Sequence, residues 1–408
     1  MYRLQNQTRH YAWGSHDFIP ALLGRDSGSE PEAELWLGAH PTGSSRLGVD
    51  GPTLKDQIES DPGRHLGELV HAEYPSRLPF LFKVLAAEQP LSLQAHPSAA
   101  QAKAGFADEQ QRGVPIDDPR RSYRDSFAKP ELFVALTECE VLCGFRPASD
   151  AAHMLTRLGI STLGPYIASL HTGRAADGFR VVVTTLLSMP VAARQELAAR
   201  VVEECRRIID TGETGPDIDA YRWAVRLGED YPGDVGAVLS LLLNLIKLQP
   251  GQGVFVGAGM MHTYLHGAGL EAQANSDNTL RGGLTPKHVD VAELLRILDF
   301  EPTHEPVIEP QPMSDASGLW DGARTWPVPA REFALFDWDV DEQPRTLRTV
   351  GPSIVLCLEG EVGLRSRDDE IVLRRGESAY IPAYEPPITA TGDGRLAHIT
   401  VGQVPRSR

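Results

Sequence analysis

The chain of 408 residues carries 39 Lys and Arg against 55 Asp and Glu, a formal charge of −16. With 41% hydrophobic and 23% charged residues it can bury a large core, which excludes disorder as a whole-chain description. Its acidity argues against a nucleic-acid partner, because phosphate backbones select basic faces, yet a small anion needs only a few local cations.

The length suggests two or three domains. Met1 to Ser15 alternates polar and aromatic residues and lacks the apolar centre of a secretory signal. No apolar stretch reaches the ~18 residues of a membrane span, so we expect a soluble cytoplasmic protein with no membrane partner. From Met1 to about Pro147, short β-type runs such as Phe80–Leu85 and Leu132–Leu136 are separated by Gly, Pro and Ser. Within this stretch Ser98 is placed to cap a helix over Ala99–Gly105. The cysteines, Cys139, Cys143, Cys205 and Cys357, are too sparse for a disulfide framework, and the close pair Cys139 and Cys143 reads as small buried hydrophobes.

Between about Ala148 and Ile246 the pattern is helical. Leu197, Val201, Val202 and Cys205 form an apolar stripe within Val191–Ile209, and Ala237–Leu248 reads as another helix. β texture returns at Leu248–Val256. One later helix is expected with Thr285 as its cap, Pro286 in its first turn, and Val291, Leu294, Leu295 and Leu298 on one face. Glu301–Pro312, rich in Pro and Glu, reads as a linker. Ser353–Leu358 and Ile371–Arg374 then alternate like antiparallel strands.

An internal similarity organises these elements. Leu248–Gly259 reads LQPGQGVFVGAG and Leu373–Ala383 reads LRRGESAYIPA; both place a glycine, Gly251 or Gly376, where a turn needs positive φ before a short β run. Eleven residues after Gly251 stands His262, whereas the same step from Gly376 reaches Pro387. The repeat resembles the second motif of the cupin β-barrels. The expected fold is mainly β with a helical insertion (α+β): two cupin-like β-barrel (jelly-roll) units plus an α-helical domain. Residues 1–146 and 247–305 would form the metal-binding unit, 147–246 the insertion, and 306–408 a degenerate C-terminal unit.

The stretch Leu91–Pro97 (LSLQAHP) carries the chemistry. On a strand, Ser92, Gln94 and His96 project from one face. Such groups are costly inside an apolar barrel unless satisfied, and a bound cation satisfies the amide oxygen and the imidazole together. Glu131 adds a carboxylate and His262 a second imidazole, a donor set that suits zinc or another divalent first-row ion.

The sequence resembles the type I phosphomannose isomerase family. The matching stretches are Tyr11–Gly14 (YAWG), Ala33–Pro41 (AELWLGAHP), Leu78–Val84 (LPFLFKV), LSLQAHP, Lys129–Glu131 (KPE) and Leu270–Lys287 (LEAQANSDNTLRGGLTPK), spread in order over residues 11 to 287. The resemblance implies a zinc-dependent interconversion of mannose 6-phosphate and fructose 6-phosphate, with one zinc held by Gln94, His96, Glu131 and His262. It further implies Arg281 as an active-site residue, and Ser92, Lys83, Lys129 and Lys287 as contacts to substrate and phosphate. Ala128 departs from the histidine that commonly precedes KPE in this family, and His266 and Gln273 also depart from the common pattern. A phosphorylated hexose is thus the expected partner of a monomer or weak homo-oligomer.

Isomerisation moves a proton between C1 and C2 through an enediol, so the site needs a base and groups that stabilise charge on the sugar oxygens. Glu271 is the leading candidate for the base, with Lys129 as its rival. Arg281, in a Gly-flanked run, can grip an anion by two parallel hydrogen bonds, unless it pairs with Asp277. Lys287 is either solvated or, at a helix start, adds to an anion-binding N-terminus. Trp13, Trp36 and Glu34 are candidates to line a sugar pocket. Two other readings stay open: a non-catalytic sugar-binding sensor, and an isomerase of a different or non-phosphorylated sugar.

Overall fold

The computed structural model describes residues 1–313, 322–347, 351–385 and 387–402; residues 403–408 of the expected C-terminal unit lie outside them. Two large antiparallel sheets dominate, one of eleven strands and one of ten, with helices gathered mainly between residues 148 and 240.

The eleven-stranded sheet turns on one long strand, His262–Ala274. Its first residues pair with Cys139–Phe145 and, at His262, with Gln94. From Gly267 onward it pairs instead with Phe80–Ala87 on one side and Glu131–Ala135 on the other. A register shift between Tyr264 and His266 marks the change of partners. Gly267 makes the corner possible: its φ is +105°, and a Cβ there would lie 2.5 Å from the Glu138 carbonyl oxygen. The strand therefore carries His262 and Glu271 into one enclosed space from two pairing environments.

The ten-stranded sheet is built on Ser353–Arg365 and Ile388–Thr400, paired along most of their length. The repeat seen in the sequence is realised here. Gly251 and Gly376 have φ of 91° and 83°, and each precedes a four-residue strand, Gly253–Val256 or Ser378–Ile381. Each copy then enters a 13-residue strand, starting at His262 in one and at Ile388, just after Pro387, in the other. The two sheets share a core in which Leu35, Phe80 and Phe82 meet Leu335, Ile354, Tyr380 and Ile399. Tyr2–Gln5 fastens the halves further, pairing with Ser378–Ile381 on one edge and Arg46–Leu47 on the other.

The helices pack on Phe145, Phe179, Tyr221 and Phe300. Val191–Ile209 is helical as the stripe predicts, with Leu197, Val201, Val202 and Cys205 buried. Ser98 caps Ala99–Gln111 through a reciprocal capping box with Gln101, so that helix runs further than expected. All the cysteines are buried and free. Among the described residues no single helix is long and apolar enough to cross a membrane.

Three local expectations are corrected. Ala237–Leu248 is not one helix: Gly236–Ser240 is helical, and Leu243–Leu248 is a strand on Cys139–Phe145. A continuous apolar run carries no period, and here the open edge of a neighbouring strand decides it. The late helix spans Val291–Ile297 and is capped by Asp290, whose carboxylate accepts from the Glu293 N–H, so Thr285 is not its cap. Glu301–Pro312 is not a free linker, since Val307–Ile308 pairs with Gly253–Val256 and Gln311–Pro312 with Ala323–Thr325.

Candidate metal centre and active site

His96, Glu131 and His262 come together as expected from the sequence, with one potential ligand atom of each lying within 4.8 Å of the others. All three are buried. The hydrogen bonds on the far side of each imidazole fix what faces inward. His96 Nδ1 lies 2.7 Å from the Asn278 carbonyl oxygen, and His262 Nδ1 lies 3.2 Å from that of Met260. A carbonyl only accepts, so both Nδ1 atoms carry the proton and both Nε2 atoms present lone pairs. Those lone pairs point at Glu131, with His96 Nε2 3.4 Å from Oε1 and His262 Nε2 3.3 Å from Oε2. His96 Nε2 is buried without a hydrogen-bond partner among the described residues.

Two lone pairs facing a carboxylate repel unless a cation lies among them, so this donor set fits a divalent metal. Burial pushes His96 down to about 4 despite the neighbouring Glu131, which keeps its imidazole neutral and able to ligate. Burial alone would raise Glu131, but the Lys129 ammonium 3.0 Å away holds it well below the usual carboxylate range. Gln94, the fourth ligand expected from the sequence, lies beside this set. It is the cross-strand partner of His262, its amide Nε2 donates to Ser92 Oγ at 3.2 Å, and it lines the cavity. Two imidazoles, a carboxylate and an amide oxygen suit zinc and its first-row neighbours.

A second group of charges lines the same cavity. Lys83 stands opposite Glu271 in the strand register, and their side chains pair at 2.9 Å; Lys83 also reaches Glu34 at 3.4 Å. Trp36 holds Glu34 through an indole hydrogen bond of 2.8 Å. Burial would lower Lys83, but Glu271, Glu34 and Glu131 outweigh it and raise its pKa, so it stays charged. Burial raises Glu271, and the nearby carboxylates of Glu131 and Glu34 add to this against the opposing pull of Lys83. Glu34, Glu131 and Glu271 against Lys83 and Lys129 leave the cavity one negative charge, which a divalent cation reverses.

The remaining expected residues fall around this centre. Arg281 lies opposite Gln94 on the neighbouring strand and is half-buried without an ion-pair partner among the described residues. Its alternative pairing with Asp277 does not form, because Asp277 is taken by His40, 3.2 Å away. Lys287 is exposed, and its N–H is turned back to the Thr285 hydroxyl at 3.1 Å. It precedes the Val291–Ile297 helix, so the expected help from a helix N-terminus at Lys287 is absent. Trp13 does not line the cavity; it stacks on Tyr11 and packs against the apolar group containing Leu91 and Tyr264.

Two residues escaped the sequence reading. Tyr264 lines the cavity, and burial with the carboxylates of Glu271 and Glu131 holds its phenol well above its ordinary pKa. It lies two residues beyond His262, hence on the same strand face, which was a usable signal. Asn278, fully buried, binds the chain at Arg124, Asp125 and Phe127. Nothing in its residue type announced this.

Comparison with known proteins places the chain in a family. Residues 1–148 match the family described as phosphomannose isomerase type I, catalytic domain, and residues 323–401 match the mannose-6-phosphate isomerase cupin domain. The chain is 38% identical to mannose-6-phosphate isomerase of Escherichia coli (strain K12) over 98% of this chain and 99% of that one. It is 31% identical to the Rattus norvegicus enzyme of the same name, covering 92% of each. Among solved structures, mannose 6-phosphate isomerase in its zinc-bound holo form superposes with a TM-score of 0.87 at 36% identity, covering 98% of this chain and 99% of that one. The similarity spans the whole chain and includes the metal-bearing half, and on that ground the chain belongs to the type I phosphomannose isomerase family.

Proposed function

We propose that this chain is a zinc-dependent enzyme interconverting mannose 6-phosphate and fructose 6-phosphate, with zinc held by Gln94, His96, Glu131 and His262. The observation that carries the reading is the convergence of two imidazole lone pairs on the buried Glu131 carboxylate, in a chain similar over its length to mannose-6-phosphate isomerases. Bound zinc supplies Lewis-acid polarisation of the sugar oxygens and orients the substrate.

Glu271 is the base that moves the proton between C1 and C2. Its raised pKa, caused by burial, makes it a stronger base than an exposed carboxylate, and Lys83 at 2.9 Å fixes its orientation. Lys129 serves differently: its ammonium is committed to Glu131 at 3.0 Å, so it cannot accept a proton while so paired. It is placed to neutralise charge beside the metal ligand. Glu34, fixed by Trp36, and Ser92 offer hydrogen bonds to sugar hydroxyls. Arg281 and Lys287, cations without ion-pair partners among the described residues, receive the phosphate. Ala128, where the family commonly has a histidine, offers no proton-transfer group.

We read the eleven-stranded sheet as a cupin-like barrel and the ten-stranded sheet as its degenerate counterpart. The catalytic unit comprises residues 1–146 and resumes at the Leu243–Leu248 strand, the helical insertion lies between, and the C-terminal unit follows residue 305. We place the enzyme in the cytoplasm as a monomer or weak homo-oligomer. A coupled assay following fructose 6-phosphate from mannose 6-phosphate tests the function. Turnover abolished by a chelator and restored by zinc is the expected result. Chelator-insensitive turnover overturns the metal's role, and no turnover with zinc restored overturns the reaction.

A further inference from the structure

Arg281 and Lys287 have a further cationic neighbour, Arg124. Arg124 enters from the segment before Lys129, and its backbone N–H donates to Asn278 Oδ1 at 2.7 Å, three residues ahead of Arg281. Asn278 also grips Asp125 and Phe127, so this segment has little freedom to carry Arg124 elsewhere. The guanidinium is half-buried and anchored by backbone carbonyls: Nη1 donates to Ile116 and Nη2 to Asp118 at 3.3 Å. Those bonds fix its plane and leave further N–H groups free, and Arg124 lines a cavity of about 490 Å³ beside Asp277.

None of the three cations has a carboxylate within ion-pairing distance among the described residues. Asp117, Asp125 and Asp277 share the cavity with Arg124 without pairing with it, and gathering three unpaired cations costs repulsion. The repulsion is felt: burial lowers Arg281 and Lys287, and the charge of Arg124 lowers both further. An anionic ligand is what relieves such a cluster, and a phosphate monoester, with two negative charges and three acceptor oxygens, matches it in charge and in donors.

We propose that Arg124 is a third cation of the phosphate subsite, joining Arg281 and Lys287 to favour phosphorylated over free sugars. The assignment rests on the reading of Arg281 and Lys287 as the phosphate site. Arg124 acts on binding, since neither its carbonyl anchors nor its place ahead of Lys129 brings it to the reacting carbons.

Steady-state kinetics of the zinc-loaded full chain test it, with inorganic phosphate as a competitive inhibitor. Arg124→Gln is expected to raise KM for mannose 6-phosphate by roughly ten- to a hundred-fold, with kcat changed far less. Inhibition by inorganic phosphate weakens in step. Arg124→Lys keeps the charge and loses the planar fork, so it falls between wild type and Arg124→Gln on both readouts. Should Arg124→Gln fail to fold, Arg124→Lys decides: unchanged KM and unchanged phosphate inhibition overturn the proposal. A merely structural arginine would alter zinc content or unfolding midpoint without weakening inorganic phosphate. Arg281→Gln separates the two levels of the argument. If it weakens phosphate inhibition and the Arg124 variants do not, only the role of Arg124 falls; if neither does, the phosphate reading itself is wrong.

Discussion

The Nδ1 atom of His96 lies 2.7 Å from the backbone carbonyl of Asn278, so one residue orients a metal ligand and clamps a loop. The Asn278 side chain accepts from the N–H groups of Arg124 and Asp125 and donates to the carbonyls of Asp125 and Phe127. Its two roles use different atoms: the backbone carbonyl serves His96, and the side chain serves residues 124–127. Substitution can therefore separate them.

Asn278→Ala is expected to strand buried backbone groups and lower stability by about 3 kcal/mol, since each unsatisfied buried group costs about 1–3 kcal/mol. Zinc content should remain close to wild type, because the bond to His96 comes from the main chain. KM should rise as the segment bearing Arg124 and Lys129 loosens. Urea unfolding, metal analysis and kinetics on one preparation check all three. Loss of zinc at unchanged stability would contradict the division of roles.

Removing the metal should destabilise the fold as well as stop turnover. Without a cation, the two imidazole lone pairs confront Glu131 inside a buried site. Zinc bound only to the folded chain adds its binding free energy to stability. Treatment with a chelator is expected to lower the melting temperature by several degrees, and added zinc to restore it. His96→Ala should melt low and respond little to zinc. A melting temperature indifferent to chelator would show that the site holds no tightly bound ion.

Glu271→Gln addresses the base. The amide keeps size and a hydrogen-bonding oxygen for Lys83, and Glu271 is not among the expected metal ligands, so zinc content should be preserved. Turnover should fall by ~10² to 10⁴-fold, the usual worth of positioned proton transfer. Near wild-type kcat in this variant transfers the role to another group, with Lys129 the next to examine.

How much of this was written in the sequence depends on distance along the chain. Strand alternation alone put Ser92, Gln94 and His96 on one face, and the glycine repeat located His262, because both are local rules. The Lys83–Glu271 pair was not legible: it exists because residues far apart in sequence fall opposite each other in register. The same applies to Arg281. Its motif suggested Asp277 as a partner, but His40, brought in by a different segment, had already taken that carboxylate. Glu301–Pro312 carries the composition of a linker, yet available sheet edges recruit its short apolar pieces. Local pattern names the residues of this site; only the packing of two sheets says which of them touch.

His398 lies on the Ile388–Thr400 strand of the C-terminal sheet. It is fully buried beside the rings of Phe336 and Trp338, and neither ring nitrogen has a hydrogen-bond partner among the described residues. Burial alone pushes its pKa down to about 3. In the unfolded chain this imidazole takes up a proton below about pH 6.5, while in the folded chain it does so only near pH 3. Between those values the unfolded state binds more protons, so stability falls as pH falls, by up to about 1.4 kcal/mol per pH unit from this residue. His398→Leu removes the contribution and two unsatisfied polar atoms with it, which should leave stability at pH 7.5 equal or higher. Urea unfolding at pH 7.5 and 5.5 then isolates the effect: the wild type should lose about 1.4 kcal/mol more than the variant over this interval. Equal losses in the two proteins would mean that His398 is solvated or partnered in solution, and that acid sensitivity originates elsewhere in the chain.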